Sequence, residues 1–337
     1  MSLKEYLFKI LEPKFATTTA RNRVSFLLKL APKDATDLSF LKDLKTIKRR
    51  IDEYENVSTK ANNLNHIVKT IDALNQEIKQ TLIPDNIVKF YKEWLDELFK
   101  QKELKRQNNV KTENDKEGFK MNIDNLQNIL DTQFKQFNNG KNITKAYLAK
   151  LSKQDKLVDF LRAYQKLVLL SCYVYQPALR NDWGTMIILT NLKKQNNQQN
   201  FIYLGKKKSY IIMNDYKTSK KYGKQIIDLD KRLVKVLNKW ITIYKNTTQQ
   251  NPYYLLYYNI DTNGLNHNDP ASLSMIIKRA SNEIFNIDYS INDYRKGWTK
   301  KFIEMPNYMK LTKLEKNKLH MKLLHSTEIA EQDYVRV

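Results

Sequence analysis

Apolar residues recur at helical spacing along most of this chain, and that spacing gives way to short β-type runs in one interval, between Thr185 and Leu229. A period of 3.6 residues demands helix packed on helix, and a period of two demands a sheet. The pattern therefore predicts a mainly α fold with a small antiparallel β-sheet. In the first third, residues 18 to 30 align Val24, Leu27 and Leu28, residues 38 to 51 align Leu41, Leu44, Ile47 and Ile51, and residues 58 to 74 align Leu64, Ile67, Val68, Ile71 and Leu74. Each is a helix with a single apolar stripe. Their opposite faces carry Arg21, Arg23, Lys48, Arg49, Lys60, Asn62 and Lys69, residue types that bind phosphates and base edges.

Pro84 opens a further helix through Trp94, Leu95, Leu98 and Phe99, which runs out into a polar stretch at residues 101 to 118. That stretch reads as a linker. It divides the chain into a helical domain with linker, residues 1–118, and a second domain, residues 119–337. The second opens with helices at 123 to 137 and 157 to 175. Runs at 185–190, 201–204, 210–213 and 225–229 follow as strands. Helical spacing then returns at 233–243, 273–285, 294–303 and 314–324.

The 337 residues carry a formal net charge of +23, a field that draws in polyanions, nucleic acid first among them. Some of that excess follows from a composition rich in Lys, Asn, Ile and Tyr, as expected of an AT-rich gene. Cys172 is the one cysteine, which excludes an intrachain disulfide and a cysteine-based zinc site and fits a small buried hydrophobe. With four histidines and no HExxH-like pair, neither a metal nor another cofactor is expected. No apolar run approaches a membrane span, and the N-terminus is unlike a signal peptide. A soluble intracellular protein with no membrane partner is the expectation.

The last fifteen residues place His325 nine positions before Tyr334, with Ser326-Thr327-Glu328 able to start a short helix that carries the tyrosine. Phosphodiester cleavage by a tyrosine needs cations to hold the phosphate, an acid for the leaving 5′ oxygen, and a phenol in line. Candidates stand in order along the chain. Arg180 follows the buried helix and Pro177, and its planar fork suits a phosphate. Lys217 lies between the third and fourth strands, at an expected hairpin tip, with Lys220, Lys221 and Lys224 close enough to leave the choice of acid open. Arg295 supplies a second clamp, on a helix packed through Tyr294 and Trp298.

The order Arg, Lys, Arg, His, Tyr resembles the tyrosine recombinases, the integrase family of phage integrases and Cre-like enzymes. Leu179-Arg-Asn-Asp-Trp183 resembles the first arginine box, and Tyr216-Lys-Thr-Ser-Lys220 the β-hairpin lysine. Asn292-Asp-Tyr-Arg295 resembles the H-x-x-R box, and Leu323-Leu-His-Ser-Thr327 the Leu-Gly-His-Ser box with its tyrosine at the expected distance. The resemblance covers residues 157 to 337, and the helical first third is similar by pattern to the family's core-binding domain. The Lys- and Asn-rich style is most similar to recombinases of virophages, giant viruses and related mobile elements.

The resemblance implies Arg180 and Arg295 as phosphate clamp, Lys217 as general acid, His325 as a further donor to the phosphate and Tyr334 as nucleophile. It implies a site-specific recombinase or integrase acting on double-stranded DNA as a homo-oligomer, dimer to tetramer, with residues 1–118 clamping the DNA, helped by Lys220 and Lys221. Three departures stand out. Asn292 takes the place of the usual histidine, Leu324 that of the usual glycine, and the Lys-rich residues 309 to 322 lengthen the segment before His325. A type IB topoisomerase or a non-catalytic DNA-binding protein with the same fold are the alternatives.

Overall fold

The computed structural model describes residues 1–74, 76–107, 120–138, 143–192, 198–247, 253–256, 259–261, 264–266, 273–328 and 330. The chain divides into two compact units, Met1–Val110 and Lys111–Val337.

The first unit is all helix: α1 (Leu3–Leu11), α2 (Thr17–Leu30), α3 (Leu44–Asp52), α4 (Val57–Ala73), α5 (Gln76–Leu82) and α6 (Asp85–Gln107). Its core joins Leu7 and Leu11 to Leu27, Leu64, Ile67 and Tyr91, so the predicted stripes turn to one centre, except that Leu28, expected beside Val24 and Leu27, lies on the exposed face. The single helix expected over 38 to 51 is broken in two. Residues Leu38–Lys42 form a 3-10 turn, and Asp43, at ψ 73°, leaves the helical region and accepts from Thr46 N at 3.0 Å to cap α3. Asn56 caps α4 through Ser58 N at 2.8 Å. The helix entered after Pro84 also runs through Gln107, so the first part of the expected linker is helical and 108–119 lie outside the described residues.

The second unit places α7 (Ile123–Asn138), α8 (Lys145–Lys153) and the buried α9 (Leu157–Val174) ahead of the sheet. The strands are β1 (Ile187–Leu189), β2 (Phe201–Leu204), β3 (Ser209–Met213), β4 (Gln225–Asp228) and β5 (Tyr253–Tyr254), ordered β4-β3-β2-β1-β5. This sheet is mixed, which corrects the antiparallel expectation. Ile187 to Leu189 pair in parallel with Phe201 to Tyr203, while the other pairings are antiparallel. The physical reason is the connection after Leu189, which is too long for a tight hairpin and returns the chain to the end it left. A second hairpin pairs β6 (Asn259–Asp261) with β7 (Gly264–Asn266).

Helices α11 (Lys231–Thr247), α12 (Leu273–Phe285), α13 (Ile291–Ile303) and α14 (Lys313–Met321) complete the unit. Between β3 and β4 the expected hairpin tip folds instead as a helical turn, α10 (Ser219–Tyr222), ended by Gly223 at φ +63°. Buried Trp240 donates to Leu255 O at 3.0 Å, and Trp298 to Tyr173 O at 2.7 Å, so both indole N–H groups are satisfied inside the core. Cys172 is fully buried in α9, and burial pushes its thiol up. Among the described residues no helix is long and apolar enough to cross a membrane, and no cluster of three or more His, Cys, Asp or Glu is placed to hold a metal.

Candidate active site

Helix α9 ends inside the core, and the chain leaves it through buried Tyr175, Gln176, Ala178 and Leu179. Gln176 fixes that exit: its amide donates to Asp228 O at 3.2 Å and its carbonyl oxygen accepts from Asp230 N at 2.9 Å. The Tyr173 hydroxyl then donates to Arg180 O at 3.0 Å. The Arg180 backbone is thus held on both sides, and its half-buried guanidinium leaves the core in a set direction. Among the described residues it forms no ion pair with Asp182. The Asp182 carboxyl is pushed up by burial, against the nearby cations of Arg180 and Arg295.

Arg295 comes from the second turn of α13. Ser290 and Asp293 form a capping box at its start, Tyr294 shares a 2.6 Å hydrogen bond with Ser281, and Trp298 is anchored as above. These contacts carry Arg295 into the interior, where it is 1% exposed. One guanidinium nitrogen donates to Ala178 O at 2.8 Å, and another lies 3.3 Å from His325 Nδ1. Arginine can only donate, so Nδ1 accepts and the His325 proton resides on Nε2. His325 is itself 1% exposed. Burial, reinforced by Arg295, His320 and Arg180, lowers its pKa to about 2, so the ring is neutral at ordinary pH.

Immediately before it, Leu324 has φ +53°. A left-handed leucine costs roughly 1–2 kcal/mol, and the side chain is 1% exposed, so its burial, worth about 1.5–3 kcal/mol, offsets the strain. The departure from glycine is therefore a backbone position that favours glycine, held by packing. Arg180 Nη1 donates to Leu324 O at 3.4 Å, which ties the first arginine to this turn. Arg180 is thereby brought together with Arg295 and His325, both more than a hundred positions further along the chain.

Lys217 is exposed in the turn between β3 and α10, with Lys220, Lys221 and Lys224 also exposed. Its neighbour Tyr216 closes this loop by donating to Gly223 O at 2.7 Å. Burial raises the Tyr216 phenol, with the Asp182 carboxylate among the charges that add to the effect. Asn292 is exposed in the first turn of α13. A helix begins at Thr327, but Tyr334 lies outside the described residues.

Sequence reasoning missed His320, Tyr308 and Asn317. His320 is fully buried, its Nε2 2.8 Å from the Tyr308 hydroxyl and its ring 5.5 Å from that of His325. Burial, with Lys316 nearby, lowers its pKa to about 4. The only available signal was a histidine five positions before His325, inside the lysine-rich stretch whose helical spacing runs over 314–324.

In the first unit Arg21, Lys48, Arg49, Asn62 and Lys69 are exposed, as their helical faces predict. Arg23 is not: it is 7% exposed with its guanidinium 3.7 Å from the centre of the Phe15 ring. The expected placement of Arg23 on the open face is corrected, because Phe15, in the turn before α2, covers it. Lys60 pairs with Asp52 at 3.2 Å, and Lys69 with Asp72 at 3.8 Å. Lys48 and Lys60 line a groove of about 470 Å³ that also holds Asp52, Glu93, Glu97 and Trp94. Part of this basic face is therefore neutralised by its own carboxylates.

No family model and no curated protein matches this chain. Among solved structures, the crystal structure of XerA recombinase is similar over 98% of this chain and 92% of that chain, with a TM-score of 0.34 and 9% sequence identity. A likeness of that size carries no argument about what this chain does.

Proposed function

We propose that this chain breaks and rejoins DNA strands as a tyrosine-type site-specific recombinase or integrase. The observation that carries the reading is the convergence of Arg180, Arg295 and His325, with the Arg295 guanidinium bridging Ala178 O and His325 Nδ1. Two fixed cations and a neutral imidazole with its proton on Nε2 suit a phosphate whose oxygens gain charge in the transition state. In the reaction, the Tyr334 hydroxyl gives its proton to water as its oxygen bonds to phosphorus and the bond to the 5′ oxygen breaks, leaving a 3′-phosphotyrosine. Lys217 delivers the proton that the departing 5′ oxygen takes up. Attack by a 5′ hydroxyl of another strand reverses these steps and restores the tyrosine. Energy is conserved in the phosphotyrosine bond, so rejoining requires no nucleotide.

In this reading residues 1–118 clamp the duplex, residues 119–337 carry the catalysis, and two to four copies assemble on paired sites. The style of the sequence suits a mobile element of the virophage or giant-virus kind. The net charge of +23 supports a duplex partner, and binding should weaken by about 0.9 log units per log unit of salt for each phosphate neutralised. A titration of affinity against salt measures that slope. A slope near zero contradicts phosphate binding.

The chemistry is tested through Lys217. A general acid contributes ~10²–10⁴ in rate, so Lys217→Ala should slow cleavage of an ordinary phosphodiester by that order. A 5′-bridging phosphorothiolate, whose sulfur leaves without a proton, should be cut by Lys217→Ala nearly as fast as by the wild type. Equal loss on both substrates would remove Lys217 as the acid, and rescue in Lys220→Ala or Lys221→Ala would transfer the role. Relaxation of supercoils by a monomer without site preference would instead indicate the topoisomerase reading.

A further inference from the structure

Helix α14 lies in the segment between Arg295 and His325, and its one fully buried side chain is polar, while Leu319 is only partly buried against the core. The helix leaves Leu314 64% exposed and buries His320 completely. Asn317 and His320, three positions apart, share one face, and both meet the segment that follows. Asn317 Oδ1 accepts from Thr327 N at 3.3 Å and from Thr327 Oγ1 at 2.7 Å. His320 packs against His325 at 5.5 Å and against Phe302 at 5.8 Å between ring centres, while Tyr308, 2% exposed, holds its Nε2 at 2.8 Å. The helix start is fixed by a capping box of Thr312 and Glu315. Burying an imidazole and a phenol hydroxyl is unfavourable unless they bond to each other, and apolar side chains would pack this face at lower cost.

We propose that α14 is a positioning element for the cleavage site: His320, held by Tyr308, fixes the imidazole of His325, and Asn317 fixes the backbone at Thr327, seven positions before Tyr334 in the sequence. The inference rests on the strand-cleavage reading of the site, and its test separates the two. Neither His320 nor Asn317 touches the phosphate in this scheme. Each acts through the residue it holds.

The chain has four histidines, so imidazole ¹⁵N labelling of the full-length protein gives a spectrum in which His325 and His320 are identified by substitution. His320→Phe keeps a ring of similar size against Phe302 but loses the bond to Tyr308, and Tyr308→Phe removes one hydroxyl. Both should shift the His325 ring signals and slow single-turnover cleavage of a nicked duplex by roughly ten- to a hundredfold, by analogy with the loss that follows when a group orienting a metal-bound histidine is removed. Duplex affinity and folded fraction should be unchanged. Asn317→Asp, which keeps the acceptor, should retain most of the rate, and Asn317→Leu should lose it. Shifted His325 signals in a protein whose wild type never cleaves would leave the positioning intact and remove the cleavage reading. Unmoved His325 signals in folded Tyr308→Phe and His320→Phe, whatever their rates, would overturn the proposal.

Discussion

Arg295→Ala is expected to slow covalent capture of DNA by at least ~10²–10³-fold, the loss seen when one preorganised donor is taken from a developing oxyanion. Arg295 is 1% exposed, and its partners include Ala178 O and His325 Nδ1. Removing it takes a fixed charge from the phosphate and also leaves a buried carbonyl without its donor, at a cost of about 1–3 kcal/mol. Arg295→Lys separates the two effects. A lysine keeps the charge but cannot present the planar fork that spans both partners, so its rate should fall between wild type and alanine. Arg180 offers the contrast: it is half-buried and donates to Leu324 O at 3.4 Å. Arg180→Ala should show a comparable rate loss with a smaller loss of stability. Single-turnover cleavage measured beside thermal unfolding reads both, and a folded Arg295→Ala protein cleaving at the wild-type rate would remove this residue from the site.

The helices were legible because each buries one stripe, and a stripe is a local property. Residues 58 to 74 became α4 (Val57–Ala73) with its cap at Asn56, and 273 to 285 became α12 without change. What failed depended on contacts that an apolar stripe does not encode. The break at Asp43 follows from a side chain that caps α3, and a stripe running through Leu41 and Leu44 does not reveal it. The parallel pairing of β1 with β2 is set by where the chain re-enters the sheet, which periodicity cannot report. Arg23 read as solvated because its helix has a polar face, and only the fold brings Phe15 over it.

The same division runs through the site. Arg180, Arg295 and His325 were readable because each sits in a box with its own composition, and the structure brings those three together. Asn292 and Lys217 are exposed, with no bond placing them against that group. Leu324 was visible as an anomaly of sequence, and φ +53° supplies its meaning. His320 was invisible, since the helical spacing of 314–324 does not single out a histidine among lysines and its importance comes from Tyr308 and His325.

Tyr334→Phe removes a single hydroxyl, so it should leave duplex affinity unchanged while abolishing every covalent product, because no other group in the scheme can bond to phosphorus. The decisive measurement is a nicked suicide duplex, from which a short 3′ fragment diffuses away after cleavage and traps the intermediate. Wild-type protein should accumulate a protein–DNA adduct that survives denaturation, with the DNA mapped by peptide analysis to Tyr334, and Tyr334→Phe should give none. An adduct of undiminished yield with Tyr334→Phe, or no adduct with the wild type on DNA that it binds, would contradict the account.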